Sequence, residues 1–419
     1  MASHSKAPRP RLGDIAAGLT CASLYHPWTP GCAAATRDMV LSSLVGSAKF
    51  FAPIYLAQLL LSWRKVNRSH LRKEARAYLK SVMFSVCMCT PFVPVGCLLS
   101  RLVGYHDHVS VFVPGLLGGF GILAEQPHKR GFLACSFAAM VLEYVLRQLE
   151  ECGVFRVSRS LAALLFMASN GLLMYLLRRE QSFPRAGTSK NMWLFYPPPV
   201  RRKNTAKQEK LSGEKDSVKS VPHVCPHEGS CLNHVLMGAG KYALMGVGLQ
   251  LVRKGLPRLR GPASLPAVLL GSLRDRHSTR LGMFLGAYVG IYSAVSCALN
   301  QLTGRDSELH AVSAGVLAGL AYWIQPNLAF ALTGFTTALM MLARHLAQQE
   351  TVPSVPGLLA VLFAACFGIL LHARAFEDHL CPRLATSITS ATTNGRCDHI
   401  AGMFQRRRDA FIKNLKFVT

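Results

Sequence analysis

The chain has 419 residues, half of them hydrophobic and only 16% charged, with a mean hydropathy of +0.26. That is more apolar material than one water-soluble core normally buries, so an ordinary soluble globular domain is excluded in favour of a multipass membrane protein. The formal charge of +26 arises from 47 basic and 21 acidic residues; the basic runs carry no interleaved aromatics in a stacking pattern, so no nucleic-acid partner is expected.

Residues 1–38 form an N-terminal segment that opens with MASHSKAPRPRLGDIAAG, a stretch without the continuous apolar core of a secretory signal. It ends in CASLYHPWTPGC, which brings Cys21, His26 and Cys32 close in sequence. A first membrane unit is expected over 39–177, with apolar windows at 39–62, 81–100, 109–124, 131–146 and 161–177. A basic polar linker, 178–232, follows: residues 178–220 hold eleven Lys or Arg against four acids. Its end, HVCPHEGSCLNH, is a second Cys/His cluster with His223, Cys225, His227, Cys231 and His234. A second membrane unit is expected over 233–372, with windows at 235–252, 281–304, 309–325, 328–343 and 351–371. The tail, 373–419, is again basic, and its terminal Lys-Phe-Val-Thr carries no receptor-read address.

The two halves resemble each other. GCLLSRLVGYHDHVSVFVPGLLGG from Gly96 aligns without a gap to SCALNQLTGRDSELHAVSAGVLAG from Ser296, with seven identities in 24 positions, among them Cys97 with Cys297, Gly115 with Gly315 and Gly119 with Gly319. ALLFMASNGLLMYLLRRE from Ala163 matches AVLFAACFGILLHARAFE from Ala360 at seven positions in eighteen. The expectation is a duplicated five-segment unit in an all-helical membrane protein of about 8 to 10 hydrophobic helices. Five spans per copy would invert the second copy. The basic loops 63–77 and 253–280 argue instead for a common face, which requires that 109–124 or the fifth segment not be a true span.

Small residues recur at four-residue spacing at Gly282, Gly286, Gly290, Ala294 and Ala298, and again at Ala311, Gly315 and Gly319, with Gly115 and Gly119 in the first half. Such faces let helix backbones approach where lipid supplies no drive to associate; an oligomer seam and a lipid-facing groove are the alternatives. Lys49, Lys241 and Glu143 are charges inside apolar windows, to be read as snorkelling or paired groups or as a solute path. For the two Cys/His clusters three readings stay open: a zinc site using Cys21, Cys32, Cys225, His227 and Cys231, a reducible disulfide, and no special chemistry. Cys97 and Cys297, inside apolar windows, read as small hydrophobes. Asn67, in an Arg-Asn-Ser triplet with basic neighbours, is not expected to be glycosylated. With no Walker loop, GxSxG elbow or HExxH, and no second carboxylate beside Glu143, neither an enzyme nor a cofactor is expected.

Two resemblances add to this. GAGKYALMGVGLQLVRKGLPRLRG and RLGMFLGAYVGIYSAVSCALNQLTGRDSELHAVSAGVLAG resemble the four-helix channel subunits of the mitochondrial inner-membrane translocases. HPWTPGC, KFFAPIYLAQLLL, the second Cys-rich cluster, LGMFLGAYVGIYSAVSC and ELHAVSAGVLAGL more closely resemble the transmembrane protein 135 family, also called peroxisomal membrane protein 52. That second resemblance implies a membrane protein of peroxisomes and mitochondria, implicated in peroxisome organisation, the balance of mitochondrial fission and fusion, and lipid metabolism. The expected partners are membrane lipids, met by the basic linker and tail, and cytosolic proteins such as the dynamin-related fission GTPase or a peroxisomal membrane-protein import chaperone. The competing expectation is a transporter, or a channel for lipid or protein, with its path between the two repeats.

Overall fold

The computed structural model describes residues 20–61, 67–103, 108–182, 225, 227, 229–258, 276–349, 355 and 357–418. Most of the linker 178–232, much of the basic loop 253–280 and His223 lie outside the described residues. Among the described residues the regular structure is all helical, with no strand. Seven helices are long and apolar enough to cross a membrane, and two shorter apolar helices cover His108–Ala124 and His310–Ile324. A bilayer imposes this: with no water to satisfy the backbone, each spanning segment must bond its own N–H and C=O groups.

The helices are α1 Cys21–Leu24, α2 Cys32–Leu61, α3 Arg68–Cys89, α4 Phe92–Val103, α5 His108–Gly119, α6 Pro127–Glu151, α7 Arg159–Ser182, α8 Cys231–Arg258, α9 Arg276–Thr303, α10 His310–Ala318, α11 Leu328–Gln348, α12 Leu358–Phe376, α13 Arg383–Thr392 and α14 Arg396–Val418. Local chemistry sets several boundaries. Asn67 accepts a hydrogen bond from the His70 N–H at 2.8 Å and caps α3, which occupies the side chain of the Arg-Asn-Ser triplet. Asn327 caps α11 in the same way. Gly153 and Gly304, just beyond α6 and α9, have φ of +72° and +65°, where a side chain would be strained. The third segment of each half ends in a 3-10 turn, Phe120–Ala124 after α5 and Gly319–Ile324 after α10.

The chain forms two compact units, Met1–Arg156 with Ser354–Thr419, and Val157–Pro353. In the first unit α5 and α6 pack on α12, α2 on α3 and α13, and α14 on α12. In the second, α7 packs on α10 and α11, and α8 on α9. The fifth apolar segment of the first half, α7, therefore lies in the second unit, and α12, the fifth of the second half, lies in the first. The sequence segments 39–177 and 233–372 and the compact units are different divisions of one chain.

Within each unit, helices approach one another closely at glycine. A Cβ on Gly115 would lie 2.9 Å from the Gly368 Cα, and one on Gly119 would lie 2.3 Å from the Ala364 Cα. In the second unit, a Cβ on Gly315 would lie 3.0 Å from the Gly171 Cα, and one on Gly319 would lie 2.7 Å from the Met167 Cα. The partners correspond in sequence: the Ala163 to Ala360 register pairs Gly171 with Gly368 and Met167 with Ala364. Between α8 and α9, a Cβ on Gly282 would stand 2.8 Å from the Ala243 carbonyl oxygen, and one on Gly286 3.0 Å from the Ala243 Cβ. Gly290 faces Ala239, whereas Ala294 and Ala298 are exposed, so the small-residue face leaves this contact after its third member.

Because the obstacle at Gly119 is backbone, Gly119→Ala is expected to destabilise the protein by roughly 1–3 kcal/mol. Gly240→Ala, at a helical position with open space around it, is expected to be neutral or to stabilise by up to about 1 kcal/mol. Thermal unfolding of the two variants in one detergent checks both.

Candidate functional site

Each unit contains a cluster of three cysteines and one histidine. In the first, Cys21 lies in α1, His26 in the following turn, Cys32 opens α2 and Cys97 sits in α4. The sequence between them folds locally: α1 closes on a Tyr25 N–H to Cys21 carbonyl bond of 2.9 Å, and the Thr29 N–H returns to the His26 carbonyl at 3.2 Å. Tyr25 then fixes the segment to the bundle. It is fully buried, its ring packs over Gly96, where a Cβ would lie 2.7 Å away, and its hydroxyl donates to the Ser110 carbonyl at 2.8 Å. The ring also meets Phe92 and Phe404 edge-on at 5.9 and 5.6 Å. Anchoring on Gly96 brings the cluster onto its neighbour, Cys97.

The four donor atoms lie within 4.8 Å of one another, and the Cys21 and Cys32 sulfurs are 3.6 Å apart. His26 Nδ1 is 2.7 Å from the Thr29 carbonyl, which only accepts, so Nδ1 carries a proton and Nε2 is the nitrogen left for any other partner. That Nε2 is buried without a hydrogen-bond partner. The Arg101 guanidinium, one helical turn beyond Cys97, reaches Cys32 Sγ at 3.5 Å.

In the second unit Cys225 and His227 precede α8, Cys231 opens it, and Cys297 comes from α9. Cys225 and Cys231 sulfurs are 3.7 Å apart, and His227 Nε2 is 3.2 Å from Cys297 Sγ. The His227 ring stacks on His234 at 4.3 Å. Gln301, one turn beyond Cys297, donates to Cys231 Sγ at 3.2 Å, as Arg101 does to Cys32. Burial, then the neighbouring Cys231 thiol, pushes the Cys225 thiol above its ordinary range. All thirteen cysteines are free thiols in this structure. Cys381 and Cys397, outside both clusters, are pushed up by burial to about 12 and about 11.

Of the residues singled out by sequence, Cys21, Cys32, Cys225, His227 and Cys231 thus fall into two separate groups. The missing members were Cys97 and Cys297, read as hydrophobes; their signal was the identity they share in the 24-residue alignment. Lys49 and Lys241 are on exposed helix faces. Glu143 is buried and ion-paired with Arg147 one turn along α6, and Arg147 also reaches the Leu380 carbonyl at 3.5 Å. Sequence reasoning missed Glu125, a buried carboxylate that accepts from Ser81 at 2.7 Å and lies 4.0 Å from the Lys129 ammonium.

Residues 18–149 are similar to a known family region. They match the model of the N-terminal cysteine-rich region of Transmembrane protein 135, over about a third of the chain. Cys21, His26, Cys32 and Cys97 all fall inside the matched stretch. No solved structure matches the chain.

Arg147→Met would leave the Glu143 carboxylate buried without its partner, which is expected to destabilise the protein by about 2–4 kcal/mol. Adding Glu143→Gln is expected to recover most of the loss in the same thermal unfolding assay.

Proposed function

We propose that the protein is a multipass organelle membrane protein of the transmembrane protein 135 family, acting in peroxisome organisation, the mitochondrial fission and fusion balance and lipid metabolism. The observation that carries this reading is the similarity of residues 18–149 to the cysteine-rich region of that family, together with seven helices long and apolar enough to cross a membrane. The architecture behind it is a duplicated five-segment unit whose fifth helices are exchanged. Support for the duplication comes from the paired glycine contacts, Gly115 with Gly368 and Gly171 with Gly315, and from a Cys3His cluster in each unit. On this reading small residues pack the helices within one chain, and the protein works as an organiser rather than an enzyme. The basic linker and tail recruit cytosolic partners, the fission GTPase or the import chaperone among them, and contact anionic lipid.

A second reading, lipid handling by translocation, is favoured by one feature of the second unit. A cavity of about 250 Å³ is lined by Phe166, Leu281, Phe284, Tyr288 and Phe330. Its polar side chains are already bonded: Asn170 accepts from the Tyr288 hydroxyl at 2.8 Å and donates to the Phe166 carbonyl at 2.7 Å, and Thr333 donates to the Ala329 carbonyl at 2.7 Å. Such a lining suits a hydrocarbon chain and not a hydrated solute.

Imaging of the tagged protein against peroxisomal and mitochondrial markers tests the first reading, with organelle length and number scored in cells lacking it. Placement on those organelles, a shape defect in its absence and rescue by the full chain but not by a chain lacking 185–220 are expected. Normal organelles in its absence would overturn the organiser role and leave lipid flux in reconstituted vesicles as the assay of choice.

A further inference from the structure

We propose that the protein binds two zinc ions, one in each compact unit, through Cys21, His26, Cys32 and Cys97 in the first and Cys225, His227, Cys231 and Cys297 in the second. Zinc held by thiolates at about 2.3 Å in a tetrahedron requires sulfurs roughly 3.8 Å apart, and a sulfur and an imidazole nitrogen roughly 3.5 Å apart. The sulfur pairs at 3.6 and 3.7 Å and the His227 Nε2 to Cys297 Sγ separation of 3.2 Å are close to those edges. A disulfide needs sulfurs about 2.0 Å apart and would use two of the four donors, leaving the others without a role. Four convergent protein donors suit a closed structural site for a borderline-soft cation, not a catalytic one with an open position.

The first histidine supplies an independent pointer. His26 is fully buried, its Nδ1 proton is committed to the Thr29 carbonyl at 2.7 Å, and its Nε2 has no hydrogen-bond partner. An unpaired buried polar nitrogen is costly, and a zinc ion at the cluster centre satisfies it. A backbone carbonyl orienting the far nitrogen is also the arrangement that fixes the tautomer of a metal-bound imidazole.

Charge and backbone fit the same ion. Binding replaces three thiol protons per site, which pass to solvent, with one Zn²⁺, so each centre carries a net charge of one negative. The Arg101 guanidinium at 3.5 Å from Cys32 Sγ offsets it in the first unit, and the Gln301 amide at 3.2 Å from Cys231 Sγ supplies a hydrogen bond in the second. Cys32 and Cys231 are the first residues of α2 and α8, where the helix dipole favours a thiolate. Each ion ties the segment before the first long helix of a half to the helix carrying Cys97 or Cys297. The proposal does not depend on the organelle in which the protein works.

The test is elemental analysis and thiol titration of the full-length protein, purified in detergent without chelator and equilibrated with zinc before gel filtration. Two zinc ions per chain are expected. Cys97→Ser and Cys297→Ser are each expected to lower the content to one and the double variant to none, while Cys87→Ser, an exposed cysteine outside both clusters, keeps two. His26→Cys is expected to keep two, because four thiolates still close the site; this variant guards against loss by misfolding. Six thiols are expected to become reactive only after a strong chelator removes the zinc. Less than half an ion per chain, a zinc content indifferent to Cys97 and Cys297, or Cys21 and Cys32 recovered as a disulfide would each overturn the proposal.

Discussion

The structure depends on how closely helix backbones come together where lipid gives apolar side chains no reason to leave it. In each unit the third segment of one half meets the fifth helix of the other half at glycine. Gly115 and Gly119 of α5 lie against Gly368 and Ala364 of α12, and Gly315 and Gly319 of α10 lie against Gly171 and Met167 of α7. At these distances the contact is between main chains, so dispersion and weak Cα–H to carbonyl contacts replace the hydrophobic effect as the cohesive force. Larger side chains then fill the space around the seam. Phe363 of α12 packs on Phe84 and Phe137 with ring centroids 6.0 and 4.7 Å apart, and Phe166 of α7 packs on Phe284 and Tyr322 at 6.1 and 5.3 Å. Phe166 and Phe363 are equivalent in the repeat register.

Another glycine, Gly96 of α4, accounts for where the first Cys/His cluster sits. Tyr25 can reach Ser110 of α5 only because Gly96 leaves room for its ring. Once that ring is seated, Cys21, His26 and Cys32 stand over Cys97. The second unit arrives at a like arrangement by a different local route, with Cys225 and His227 in the segment before α8 and a shorter sequence spacing to Cys231. Two local routes thus converge on one donor set, three cysteines and one histidine in each unit.

Much of this is legible in the sequence, for physical reasons. Apolar windows locate helices because the bilayer admits little else: among the described residues the ten windows overlap helices, but 81–100 runs across the break between α3 and α4, and seven helices rather than eight to ten are long and apolar enough to cross a membrane. Charges inside windows were visible, but not their fates: Lys49 and Lys241 sit on exposed faces while Glu143 finds Arg147 one turn away, a distinction that rotation about a helix axis decides. Which fifth helix joins which unit was invisible, because α7 and α12 share seven of eighteen residues, and either would offer the glycine its partner needs. Cys97 and Cys297 looked like packing residues because their windows are apolar on every side; only their coincidence in the repeat alignment set them apart. Glu125 lay just beyond the end of a window and was missed for that reason.

The packing of α5 on α12, and of α10 on α7, is open to one direct measurement. His108 of α5 and His372 of α12 have ring nitrogens 2.6 Å apart, and the residue equivalent to His372 in the other fifth helix is Tyr175. A chain carrying a protease site within 185–220, Cys89→Ser to remove the native thiol beside Cys397, and cysteines at 108 and 372 is treated in membranes with a short bifunctional thiol reagent, cleaved and run on a denaturing gel. With helices exchanged, the two fragments remain joined, whereas a 108 and 175 pair and the same chain without the added cysteines release them. Fragments that separate for 108 and 372, with an internal cross-link for 108 and 175, would place each fifth helix in its own half and contradict the account.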